Sequence, residues 1–118
     1  MSSPIVHFEI LGTDHAGLRD FYRSQFGWEM QDVMEGYTLV TTPDGSPDGA
    51  VGTPPEGQER MVTVYFEVDS IDDALASIEQ AGGSTTVPRT VIPEMVVYAQ
   101  FRDPAGNVLG LVEAAEES

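Results

Sequence analysis

One phrase occurs twice in this chain, and the repetition constrains the fold more than any other feature: "VHFEI" at residues 6–10 and "VYFEV" at residues 64–68. Each copy alternates apolar with polar side chains, the period of a strand with one buried face. Val6, Phe8 and Ile10 share one face, and Val62, Val64, Phe66 and Val68 share the matching face of the second copy. His7 and Glu9, like Thr63, Tyr65 and Glu67, fall on the opposite face.

The segment after each strand also repeats in kind. "TDHAGLRDFYRSQFGW" offers Asp14 as a helix cap, spaces Leu18, Phe21, Tyr22 and Phe26 as a helical stripe, and stops at Gly27. "SIDDALASIEQAGG" supplies Ser70 and Asp73 as a capping box, Ile71, Ala74, Leu75 and Ile78 as the stripe, and Gly82 and Gly83 as the stop. After the first helix, strands are expected at "WEMQDV" and "YTLVTT", then a turn-rich "TPDGSPDG" and a short edge strand at "AVGT". After the second, they are expected over residues 84–92 around Pro88, at "VVYAQFR" and, past the "DPAGN" turn, at "VLGLVE".

The pattern is βαβββ, stated twice. One such unit cannot bury both faces of its own sheet, so two copies should pack as one α+β domain over residues 1–118. The expectation is two βαβββ modules in tandem, about 4–53 and about 61–114, joined by the polar connector 54–60. Each would be a mostly antiparallel curved sheet with one helix on its outer face. The faces left open would form a concave small-molecule pocket carrying His7, Glu9, Thr63, Tyr65, Glu67, Tyr98 and Gln100.

Charge narrows the partners. Twenty Asp and Glu residues face five basic ones, all arginine, for a formal net charge of −15 over 118 residues. Such a surface repels phosphate backbones and anionic lipid, which argues against nucleic acid and membrane partners. No run approaches the roughly 20 apolar residues of a membrane span, and "MSSPIVHFEI" lacks the features of a signal peptide, so a soluble cytoplasmic protein is expected. With no cysteine, disulfides, zinc–thiolate sites and thiol nucleophiles are all excluded. The acidic, lysine-free composition fits either a salt-adapted surface or GC-rich coding.

The duplicated unit, the helix end "FYRSQFGW", the strand and helix "FEVDSIDDALASIEQAGG" and the closing "FRDPAGNVLGLVE" together resemble the vicinal oxygen chelate superfamily. That superfamily contains glyoxalase I, bleomycin-resistance proteins and extradiol dioxygenases. The similarity covers nearly the whole chain and is nearest to small glyoxalase-like proteins related to lactoylglutathione lyase. It implies a lyase or isomerase of glyoxalase type, or a dioxygenase, with a divalent metal that chelates two neighbouring substrate oxygens, and a homodimer. Family members typically hold the metal with a His on the first strand, a His or Glu late in the first module, a His on the first strand of the second, and a Glu on the last strand.

Carried onto this chain, the first position is His7. The third is Thr63 when counted from the second helix, or Tyr65 when the two phrases are aligned directly; both lie on the same face. The fourth is Gly110, and residues 50–52, where the second would fall, contain no His or Glu. Glu113 stands three residues beyond Gly110 and so takes the opposite face of its strand. With one ligand of four retained, the usual divalent metal centre is not favoured.

The favoured reading is therefore a glyoxalase-like protein that binds a small molecule without that centre. A metal-dependent lyase, isomerase or dioxygenase would need a nonstandard set such as His7, Glu9 and Glu67. A bleomycin-resistance-like protein would sequester a drug or toxin, and a cationic one suits the negative charge. Glu9 and Glu67 hold matching places in the two copies and are the candidate catalytic acid and base, one with a raised pKa if both are buried together. The plain alternative is two solvated carboxylates. His7, Thr63, Tyr65, Tyr98 and Gln100 are the candidate pocket residues, with His7 the candidate metal residue. His15 reads as an exposed residue at a helix start, and Arg60, Arg89 and Arg102 as surface partners of the abundant carboxylates.

Overall fold

The computed structural model of the chain describes residues 2–44 and 47–113. The elements run β1 (Ile5–Gly12), α1 (His15–Phe26), β2 (Glu29–Met34), β3 (Tyr37–Thr41), β4 (Asp48–Gly52), β5 (Arg60–Val68), α2 (Ile71–Gln80), β6 (Ser84–Ile92), β7 (Val96–Arg102) and β8 (Val108–Glu113). This is βαβββ twice, as the periodicity predicts. Part of the turn-rich loop, residues 45 and 46, and the expected end of the second module at residue 114 lie outside the described residues. The chain divides into two compact units, one of Val6–Val64, the other joining the N-terminal residues through Ile5 to the chain from Tyr65 onward.

In the first unit the strand order is β2-β3-β4-β1, with β1 parallel to β4 and the other pairs antiparallel. In the second the order is β5-β8-β7-β6, again with one parallel pair, β5 with β8. Each sheet is thus mostly antiparallel. The Gly-rich strand at residues 48–52 is not the edge strand that its short length suggests. It lies between β3 and β1, and four of its five residues are buried. Glycine is what admits it there: a Cβ on Gly49 would run into the Phe8 ring of β1. Pro88 does sit on an edge strand, β6, where the register with β7 is irregular between Val87 and Thr90.

Both helices begin and end as their caps dictate. Asp14 accepts from the Gly17 N–H, and Gly27 closes α1 in the left-handed region at φ 68°. Ser70 accepts from the Asp73 N–H at 3.2 Å to open α2, and the Gly83 N–H donates back to the Ile78 carbonyl to close it. Their burial differs. Ile71 and Leu75 of α2 join Ala99, Phe101 and Leu111 in one buried cluster, flanked by Phe66, Val68, Ala74 and Ile78. Removing an apolar side chain of that size from water is worth about 1.5–3 kcal/mol.

The α1 stripe departs from its expected burial, for no residue of α1 is buried and Phe21 and Phe26 are 53% and 60% exposed. They join an aromatic set instead. Tyr22 stacks on Trp28 with ring centroids 5.6 Å apart, Phe26 stacks on both, and Phe8 of β1 meets Trp28 at 5.6 Å. Val62 also departs from the strand pattern, being 72% exposed. Alternation assigns a side chain to a face; it does not say whether a helix reaches far enough along the strand to cover it.

Candidate functional site

In each unit the odd-numbered residues of the repeated phrase lie on the sheet face away from the helix. Phe8 and Phe66 confirm the parity, since one meets Trp28 behind α1 and the other packs with Leu75 and Ile71 of α2. His7, Glu9, Tyr65 and Glu67 therefore share the type of face the alternation assigns them, and each phrase runs parallel to the last strand of its unit. His7 stands opposite Asp48 on β4, and Tyr65 stands opposite Gly110 on β8. The two pairs carry different chemistry.

The first unit's pair belongs to a polar cluster. Tyr37, at the start of β3, donates its phenol proton to Glu9 Oε2 at 2.7 Å, and His7 Nε2 lies 3.0 Å from the same phenol oxygen. With the phenol proton committed to the carboxylate, the imidazole Nε2–H is the donor to that oxygen. One hydroxyl thereby ties together both candidate side chains of β1. Burial lowers the His7 pKa below the ordinary histidine value, while the Glu9 and Asp48 carboxylates pull it back up. Near neutral pH the imidazole is uncharged. Asp48 also accepts from the Thr42 N–H at 3.1 Å, so this carboxylate fastens the end of β3 to β4.

Tyr37 was not legible as a site residue. "YTLVTT" carries apolar or hydroxyl side chains on both faces, so its alternation has no polar side to read. Asp48 is hidden differently, inside a segment that reads as turn until its pairing with β1 is seen.

The second unit's pair is apolar and filled. Tyr65 is 5% exposed, and a Cβ on Gly110 would fall within its ring. The ring crosses β8 toward β7, where Gln100 Nε2 donates to the Tyr65 hydroxyl at 2.9 Å; Gln100 is also the register partner of Gly110. Thr63, two residues back on β5, is 2% exposed. Tyr98 is partly buried on β7 opposite Val112. Glu67 borders an open hollow of about 270 Å³ with Ser2, Ser3, Pro4, Val68 and Asp69, and its backbone N–H donates to the Pro4 carbonyl at 3.0 Å.

Other charged groups are structural. Glu113 lies on the face opposite Gly110, as parity requires, and its carboxylate accepts from the Ile71 N–H at 3.0 Å and from Arg89 twice at 2.9 Å. The Arg89 hydrogen bonds, and then the Ile71 N–H, pull its carboxyl down to about 2. This satisfies an amide of the first helical turn and places a negative charge at the positive end of α2.

His15 is partly buried rather than exposed. Its Nε2 lies 2.8 Å from the hydroxyl of the fully buried Thr38, which donates to Asp32 Oδ1 at 2.6 Å. That hydrogen bond, with Arg19 and His15 adding, holds Asp32 below the usual carboxylate range. Arg19 and Arg23 pair with acidic neighbours, and Arg102 donates to the Gly106 carbonyl.

The metal implied by the family resemblance does not fit the side chains at its expected positions. Threonine and glycine stand where imidazole and carboxylate are required, and Tyr65 occupies the space into which a side chain at 110 would extend. Among the described residues, no three His, Cys, Asp or Glu side chains group closely enough to hold a metal ion. Nor is any helix of the described residues long and apolar enough to cross a membrane.

The double βαβββ fold defines the class. The model of the Glyoxalase/Bleomycin resistance protein/Dioxygenase superfamily matches residues 4–111, and the chain belongs to that superfamily. Among curated proteins, "Putative glyoxylase CFP32" of Mycobacterium bovis and its Mycobacterium tuberculosis counterpart are each 29% identical over 111 residues. The match covers 86% of this chain but only 42% of those proteins, so the chain spans about two fifths of their length.

Solved structures share the fold. The hypothetical protein BH1468 of Bacillus halodurans superposes with a TM-score of 0.71 at 16% identity, covering 100% of this chain and 99% of its own. Methylmalonyl-CoA epimerase of Mycobacterium tuberculosis gives 0.67 at 16% identity, covering 95% and 88%. A Streptomyces coelicolor methylmalonyl-CoA epimerase in complex with 2-nitronate-propionyl-CoA gives 0.68 at 20%, covering 98% and 100%.

Proposed function

We propose that this chain is a glyoxalase-like protein that binds a small organic molecule on the open sheet face, without the four-ligand metal centre, through His7, Glu9 and Tyr37. The observation that carries the reading is the single phenol hydroxyl of Tyr37 joined to both Glu9 and His7. A neutral imidazole, a carboxylate and a phenol held together supply donor and acceptor groups to a polar ligand, and Glu9 is the base if the ligand carries an acidic C–H. On the second unit's own face, Tyr65, Tyr98 and Gln100 belong to this reading as wall residues and Glu67 as a carboxylate, with Thr63 on the same side of β5 as Tyr65, and the protein is a homodimer.

The relatives named as epimerases act on a coenzyme A ester. For this chain the charge favours a neutral or cationic ligand. A net charge of −15 repels phosphates, and Arg19, Arg23 and Arg89 are already in ion pairs. The same observation favours, as a second reading, sequestration of a cationic drug of the bleomycin type.

The test is a thermal-shift and calorimetric titration of chelator-treated protein with bleomycin, S-lactoylglutathione and methylmalonyl-CoA, repeated with added Mn²⁺. We expect binding of bleomycin, the cationic probe, that survives chelation and weakens about tenfold in the Glu9→Gln variant, as for loss of one charged hydrogen bond. Binding that appears only with metal sinks the reading.

A further inference from the structure

Position 110 is where the superfamily resemblance calls for a carboxylate, and it is the position least able to carry any side chain. Gly110 is buried on β8, a Cβ there would fall within the Tyr65 ring, and its backbone conformation is not the left-handed one that itself demands glycine. Glycine is present because something lies over it. Tyr65 is anchored on the far side, through the hydrogen bond that its hydroxyl accepts from Gln100 on β7. The ring cannot swing aside for a larger residue at 110 without losing that bond and leaving the Gln100 amide to find another partner. Counted back from the helix caps Asp14 and Ser70, the counterpart of Tyr65 in the first unit is Glu9, which faces Ala50, so a Cβ is accommodated there.

We propose that Tyr65 and Gly110 are a size-matched pair that closes the second unit's open face to a metal-ligand side chain, with Gln100 as the latch. Position 110 then accepts a side chain only when the ring at 65 is removed. The bare position at 110 and the aromatic ring at 65 are thus one structural feature rather than two. This rests on the metal-free reading above and adds its physical cause.

A double-mutant cycle followed by thermal unfolding tests it. Gly110→Ala in the native background should lower the melting temperature by about 5–15 °C, the usual range for overpacking a filled site in a domain of this size. In the Tyr65→Ala background the same substitution should change it by less than about 3 °C. Should Tyr65→Ala not fold, Tyr65→Leu gives the same comparison with the ring removed and most of the apolar volume kept. Equal losses in both backgrounds, or no loss in either, overturn the pairing. Wild-type protein that titrates with one equivalent of Mn²⁺ or Zn²⁺, while the cycle still shows coupling, overturns the metal-free reading and leaves the size match standing.

Discussion

The two copies of one strand pair have kept their backbone and parted in chemistry. In the first, β1 lies parallel to β4 and presents His7 beside Asp48, with Tyr37 bridging His7 to Glu9. In the second, β5 lies parallel to β8 and presents Tyr65 lying over Gly110, with Gln100 fastening the hydroxyl. The helices differ in the same sense, since α2 buries Ile71 and Leu75 whereas α1 buries nothing and leaves Phe21 and Phe26 half outside. A duplicated unit needs each copy only to fold. Both copies bury strand residues, Val40, Ala50 and Val51 in the first and Ala99, Phe101 and Leu111 in the second, and the first also keeps titratable groups together.

The sharpest way to break the comparison is to truncate one residue on each face. Tyr65→Ala should cost about 3–4 kcal/mol in urea unfolding, because a filled aromatic site and a hydrogen bond are lost together. His7→Ala, on the first unit's face, should cost less than about 1 kcal/mol; equal losses would mean that the two faces are packed alike.

Next in size is the Glu113 clamp of the second unit. Glu113→Ala should cost about 2 kcal/mol, since a bidentate arginine pair and a helix amide lose their partner, with the solvent-exposed Arg89 reducing the total. The carboxyl falls from 4.5 to about 2 on folding. Its stabilisation is therefore fully present above the unfolded value and is lost as pH falls from 4.5 toward 2. An acid-unfolding curve that Glu113→Gln leaves unchanged over that window would contradict the clamp.

Tyr37→Phe should cost about 1 kcal/mol, for one hydroxyl that serves two partners. It should also release Glu9 and His7 from a common geometry, seen as separate side-chain shifts by NMR. The smallest effect belongs to His7 alone. Its folded pKa is depressed by burial, so the unfolded state takes up the proton first, and stability should decline slightly as pH drops below the unfolded value of 6.5. His7→Asn should remove that limb.

Most of the architecture was legible in the sequence because strand and helix periods, caps and glycine stops are local signals. Asp14, Ser70, Gly27 and Gly83 act in the structure as their positions predict. Glu113 also behaves as parity requires, pointing away from the Gly110 face. What escaped was set by neighbours distant in the chain. Residues 48–52 look like an edge by length, yet the strand is inner, because Gly49 lets the Phe8 ring lie across it. Tyr37 reaches Glu9 and His7 from another strand, and nothing in "YTLVTT" marks which of its two similar faces is open. The meaning of Gly110 was half legible. The missing carboxylate is plain in the sequence, but only the register of β5 with β8 shows the tyrosine that takes its space.

The central claim is that the chain does not hold the metal centre implied by the family resemblance, because Thr63 and Gly110 stand at two of its ligand positions. It is tested most directly by metal analysis of the protein expressed and purified without chelator in medium containing Mn²⁺, Ni²⁺ and Zn²⁺. Less than about a tenth of a metal ion per chain is the expected result, because a site lacking most of its ligands does not hold an ion through purification. A value near one per chain, lost together with the His7 side chain, would contradict it.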